Sequence, residues 1–176
     1  MNITVTAKPG ETMGTLSWGD VSFPCALGRT GIISQANKQE GDGATPAGNW
    51  PLHRLLYRAD RLACPPTLLP TSPIDKTDGW CDAQGDAAYN RPVTLPHGAS
   101  SETLWRDDTL YDLIIVLGQN DSPVIPGKGS AIFFHLAVHK GSELAPTEGC
   151  IALPLNTLRQ VLALCSTDTV MEVRCL

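Results

Sequence analysis

Apolar residues in this chain of 176 come in runs of no more than five, and 16 glycines and 14 prolines break the sequence between them. Runs of that length suit strands, so the core is expected to come from many short strands joined by tight turns. Ile3, Val5 and Ala7 alternate toward one face. Thr15–Trp18 and Val21–Ala26 flank Gly19-Asp20, a two-residue loop of the kind that closes a β-hairpin. Trp50–Tyr57 reads as a further strand. Tyr111–Leu117 is apolar on both faces, which marks a central strand, and Ala131–Ala137 is a second. Leu158, Val161, Leu162 and Cys165 recur at helical spacing, which predicts a helix over Asn156–Cys165 with Asn156 as its N-cap. Thr169–Val173 closes the chain as a strand. The expected class is a β-rich α+β domain with few short helices.

A chain of this length is expected to form one domain over residues 1–176 and to bury roughly two-thirds of its unfolded surface without crosslinks. From about residue 59 to 100 the periodicity weakens and Pro, Asp, Gly and Thr accumulate. A loop-rich stretch of that length is expected to serve as a lid or binding wall. The net charge of −5 comes without a basic stripe, so a nucleic-acid partner is not expected. No apolar run approaches the ~18 residues of a membrane span, and the N-terminus lacks the pattern of a secretory leader. The cysteines at 25, 64, 81, 150, 165 and 175 show no close pairing. They are expected to be reduced thiols in a cytoplasmic protein.

Cys150 has the most unusual setting of the six, in Pro146-Thr147-Glu148-Gly149-Cys150-Ile151-Ala152-Leu153. Gly149 lets another backbone or a substrate approach closely. His135 lies 15 residues upstream on an expected buried strand. An imidazole that takes a thiol's proton makes it a nucleophile, and backbone N–H groups around Gly149 and Cys150 would then hold the resulting oxyanion. The same residues also read as a core cysteine and a hydrogen-bonded core histidine. No metal or cofactor is expected. His135 and His139 have the spacing of two ligands on a helix, but Phe133-Phe134 argues for a strand, where positions i and i+4 lie well apart; His53 and His97 are remote in sequence.

His135, a spacer of about fifteen residues and Thr147-Glu148-Gly149-Cys150 together resemble the signature of the YkuD-type L,D-transpeptidase family. Gly43-Ala44-Thr45-Pro46-Ala47-Gly48-Asn49-Trp50 is similar to that family's Thr-Pro-x-Gly-aromatic turn. The resemblance implies a YkuD-like mixed sheet or sandwich. It makes Cys150 the acylated nucleophile and His135 its base, with the Leu136 carbonyl orienting the ring. Two positions depart from the pattern: Glu148 stands where most members carry a second His, and Ala152 where many carry Arg or Asn. Thr-Glu-Gly-Cys, with Gly79-Trp80-Cys81-Asp82 and Tyr89-Asn90-Arg91-Pro92, is similar to a branch that includes cytosolic L,D-carboxypeptidases of cell-wall recycling.

The implied substrate is a murein tetrapeptide or muropeptide, from which D-alanine leaves as a thioester forms on Cys150. In the cytosol water is the expected acceptor, giving a shortened tripeptide. A substrate with carboxylates needs cationic partners. Arg91 is the first choice, with Tyr89, Asn90, Thr147 and an apolar wall at Trp80 as further substrate contacts, and Arg29 and Arg106 in reserve. Two alternatives stand beside this reading: an L,D-transpeptidase acting outside the cytoplasm, and a wall-peptide binding module that does not catalyse.

Overall fold

The computed structural model describes residues 2–176. Its strands are β1 (Asn2–Ala7), β2 (Met13–Trp18), β3 (Val21–Ala26), β4 (Ile32–Ile33), β5 (Thr45–Pro46), β6 (Gly48–Tyr57), β7 (Thr71–Pro73) and β8 (Asp78–Cys81). They continue as β9 (Pro92–Thr94), β10 (Ser101–Thr103), β11 (Leu113–Leu117), β12 (Phe133–Leu136), β13 (His139–Lys140), β14 (Glu143–Leu144), β15 (Ile151–Leu153) and β16 (Val170–Cys175). One α-helix, α1 (Leu155–Leu162), lies between the last two.

The principal sheet runs β11-β12-β15-β3-β2-β1-β16-β6-β7, and β11 pairs again with β6. Every strand of it except β7 therefore joins a closed ring, a barrel-like sandwich that leaves few free edges. It is mixed: β1 with β16 and β12 with β15 are parallel, while β2 with β3 and β11 with β12 are antiparallel. The β2–β3 hairpin turns at Gly19-Asp20, as its sequence requires. Pro24 is tolerated inside β3 because the strand's other neighbour, β15, pairs with it at Ala26 only.

Strand alternation divides the apolar residues between two cores. Leu113, Ile115 and Leu117 of β11 join Phe134, Leu136, Ile151 and Leu153 in the larger one, closed at one end by Leu158, Val161 and Leu162 of α1. The intervening Ile114 and Val116 turn to the opposite face, with Phe133 and Cys150. Both faces of β11 are thus covered, which is why its sequence is apolar throughout. Phe134 is fully buried, and its truncation to Ala would cost about 3–5 kcal/mol.

The second core is roofed by the excursion after β6. This stretch is not loop throughout: β8, β9 and β10 form a three-stranded sheet of their own. It carries Ile74, Trp80 and Leu104, all buried against Ile114 and Phe133. The three strands are only three or four residues long, so they leave almost no alternation to read in the sequence. The helix also differs from expectation. It starts at Leu155 with Pro154 as its N-cap and no side-chain cap, so Asn156 lies inside the first turn. Pro154, with φ −56° and ψ 147°, stands outside the helix, and its missing N–H ends the β15 ladder ahead of α1.

Candidate active site

Cys150 ends a turn that two other parts of the chain hold in place. The Thr147 amide donates to the Leu27 carbonyl, and the Thr147 carbonyl accepts from the Arg29 amide, so the turn is laced to the chain beyond β3. Within it the Thr147 hydroxyl donates to the Cys150 carbonyl at 2.7 Å and accepts from the Gly149 amide at 3.1 Å. Gly149 adopts φ +135°, and a β-carbon there would lie 2.8 Å from the Ala44 carbonyl oxygen. The Gly43–Trp50 segment and the cysteine turn are therefore built against each other, and only glycine fits the contact.

Strand register puts the two candidate side chains on one face. In the parallel β12–β15 pair, His135 stands opposite Ala152. Cys150, two residues before Ala152, projects to the same face as His135 and Phe133. Its Sγ accepts from the Phe133 amide and donates to the Ala131 carbonyl, both at 3.3 Å. His135 Nδ1 lies 2.8 Å from the Leu136 carbonyl oxygen. A carbonyl only accepts, so Nδ1 carries the proton and Nε2 keeps its lone pair.

Burial keeps both groups neutral at rest. It pushes the Cys150 thiol up to about 12, with the Glu102 carboxyl adding to the rise and the Phe133 amide opposing it. It pushes His135 down to about 4, against the pull of the Leu136 carbonyl. A thiol and a free imidazole base on one face can pass a proton as an electrophile arrives, without a standing ion pair.

Both open onto a cleft of about 440 Å³. Its walls include Tyr111, Glu102 and Arg106. The Tyr111 hydroxyl donates to Glu102 at 2.5 Å, and its ring meets His135 edge-on at 5.2 Å. Burial raises the Glu102 carboxyl, with Asp82 and Glu40 adding to the effect while Tyr111 and Arg106 counter it. Arg106 is held by Asp108 through Nε and Nη2 and lies over the Tyr111 ring. Lys38, also in the cleft wall, is buried and paired with Asp42.

Of the residues singled out in the sequence, Cys150, His135, Thr147, Glu148, Ala152 and Arg106 line this cleft, with Gly149 and Leu136 beside them. The Gly149 amide is taken by Thr147, and the Thr147 hydroxyl is spent on the turn. Arg91 is not brought there. It lines a separate cavity of about 300 Å³ with His53 and Asp121, and its Nη2 donates to the Asp121 carbonyl at 2.7 Å. Trp80 packs edge-on against Phe133 at 5.1 Å and donates Nε1 to Asn90. Asn90 is buried with φ +55°; it also accepts from the Ala131 amide and donates to the carbonyls of Gln119 and Asn120. Tyr89 is buried, with its hydroxyl on Glu40. These three hold the cleft wall from behind. Arg29 sits at the rim, paired with Glu148 at 2.8 Å.

Tyr111, Glu102, Glu40 and Lys38 were not singled out from the sequence. They come from separate segments without a shared motif, and only the folded chain brings them to one cleft. The family model described as YkuD, L,D-transpeptidase catalytic domain, matches residues 12–173. No curated protein and no solved structure matches the chain.

Proposed function

The chain belongs to the YkuD family of L,D-transpeptidase catalytic domains, and on that premise we propose that it is a cysteine L,D-carboxypeptidase of murein tetrapeptides. His135 Nε2 takes the thiol proton as Cys150 Sγ attacks the carbonyl before the terminal D-alanine. The oxyanion needs a backbone donor; since Thr147 occupies the Gly149 amide, the Cys150 amide is the nearest candidate in the turn. The imidazolium returns its proton to the departing amine of D-alanine, leaving a thioester. Water, deprotonated by the same nitrogen, then cleaves the thioester and restores the thiol.

The observation that carries this reading is the Nδ1 contact with the Leu136 carbonyl, which leaves Nε2 as the base on the face that also bears the thiol. Arg106 takes the role of carboxylate anchor, since it lines the cleft and Arg91 does not. A reducing, cytoplasmic setting is supported by six free cysteines, of which Cys64 and Cys175 are exposed. Polymerised wall is absent from that setting, so water is the acceptor. The test is product analysis after incubation with murein tetrapeptide, with and without an added amine. D-Alanine and tripeptide, unchanged by the amine, support the reading; a transfer product that displaces the tripeptide makes the protein a transpeptidase instead.

A further inference from the structure

The closed excursion brings together three side chains with metal-ligand chemistry. Cys81 ends β8, Asp86 lies in the turn that follows, and His97 lies in the loop between β9 and β10. Their Sγ, carboxylate oxygen and ring nitrogen lie within 4.8 Å of one another. None of the three lines the thiol cleft, although Asp82, next in the chain, does.

Two details separate this cluster from an ordinary polar contact. His97 Nε2 is buried and has no hydrogen-bond partner. It nevertheless stands 3.4 Å from Asp86 Oδ2. A nitrogen and an oxygen each ~2.0–2.2 Å from one tetrahedral ion lie about 3.4 Å apart, so the pair already has the spacing of two ligands. The other carboxylate oxygen, Oδ1, accepts from the Ala88 amide at 2.7 Å, which fixes Oδ2 toward the histidine. Cys81 is fully buried. The three ligand atoms lie within 4.8 Å of one another, so a small inward shift of the loops brings all of them onto one ion.

We propose that Cys81, Asp86 and His97 bind one Zn²⁺, with water in the fourth position. Thiolate, imidazole and carboxylate together favour zinc over the harder magnesium and calcium. Binding forms a Zn–S bond and releases the Cys81 thiol proton to solvent. The ion ties the end of β8 to the two loops behind the cleft wall, so its work is to hold the excursion closed. The linear spacing of the ligands matches no familiar metal motif, which is why no metal is expected from the sequence.

The test takes the full 176-residue chain, strips it with a chelator, and adds Zn²⁺ alone or Co²⁺ alone. The expected result is one equivalent bound, with a thiolate-to-cobalt charge-transfer band that is lost in Cys81→Ser. His97→Gln, at a partly exposed side chain, weakens binding at least tenfold and carries the test if Cys81→Ser fails to fold. Zn²⁺ raises the Tm of the parent chain and raises that of His97→Gln by clearly less. Cys150→Ala binds as the parent does. No binding by the stripped parent, undiminished binding in His97→Gln, or binding lost only in Cys150→Ala would each overturn the proposal.

Discussion

Gly149 and Ala44 meet backbone to backbone: a β-carbon on Gly149 would lie 2.8 Å from the Ala44 carbonyl oxygen, at a φ of +135°. The contact couples the cysteine turn to the Gly43–Trp50 segment. Gly149→Ala must push one of them aside and strain the backbone, at about 2–4 kcal/mol of stability. Displacing Sγ by even an ångström lowers kcat/KM by roughly a hundredfold. Thermal melts and D-alanine release check the two effects separately; an alanine variant of full activity contradicts the role given to this turn.

With His135 as the proposed base, the buried imidazole is expected to set the acid limb of activity. His135 is pushed down to about 4 by burial, from an ordinary 6.5, so it stays a free base through mildly acid conditions. The expected kcat/KM holds down to about pH 4 and falls below it. Between 6.5 and about 4 the unfolded chain binds more protons at this ring than the folded one. Stability therefore falls as pH drops through that window and the penalty is complete below the folded value. Melts across the window show the loss in the parent chain and less of it in His135→Gln. A limb centred near 6.5 contradicts the buried, uncharged ring.

Arg106→Ala and Arg91→Ala separate the guanidinium group that the sequence puts first, Arg91, from one it holds in reserve, Arg106. Arg106 lines the cleft and Arg91 lines the other cavity. Losing a charged hydrogen bond to the substrate carboxylate raises KM by about ten- to a hundredfold in Arg106→Ala. Arg91→Ala leaves KM within about twofold, because its guanidinium serves the Asp121 carbonyl instead. Steady-state kinetics with tetrapeptide gives the comparison, and the reverse order would return the anchor to Arg91.

Asn90→Ala removes the hub behind the cleft. It leaves the Trp80 indole, the Ala131 amide and two carbonyls without their partner, and places alanine at φ +55°. The expected cost is about 2–4 kcal/mol, read from chemical denaturation. A loss below about 0.5 kcal/mol would show that these bonds are replaced by solvent.

The barrel was largely legible because its strands carry their own signals. Gly19-Asp20 announces the first hairpin, and the two-sided apolar run of β11 announces a strand covered on both faces. His135 and Cys150 were legible as a pair of residue types at a spacing, while their shared face depends on the parallel β12–β15 register. The wall of the cleft was not legible. Asn90 reaches partners at 119, 120 and 131, and Glu102 meets Tyr111 only after the excursion folds back. Arg91 reads as a free cation in sequence, yet with Trp80 and Asn90 it lines the other cavity, because its guanidinium is drawn to the Asp121 carbonyl across the fold.

The central claim is that Cys150 becomes acylated with His135 as the base. Intact-mass spectrometry of protein quenched in acid during turnover of murein tetrapeptide tests it most directly. The expected result is an adduct of the peptide without its terminal D-alanine, mapped to Cys150, missing in Cys150→Ala and strongly reduced in His135→Gln. D-Alanine release by Cys150→Ala at the parent rate, with no adduct on the parent, would contradict it.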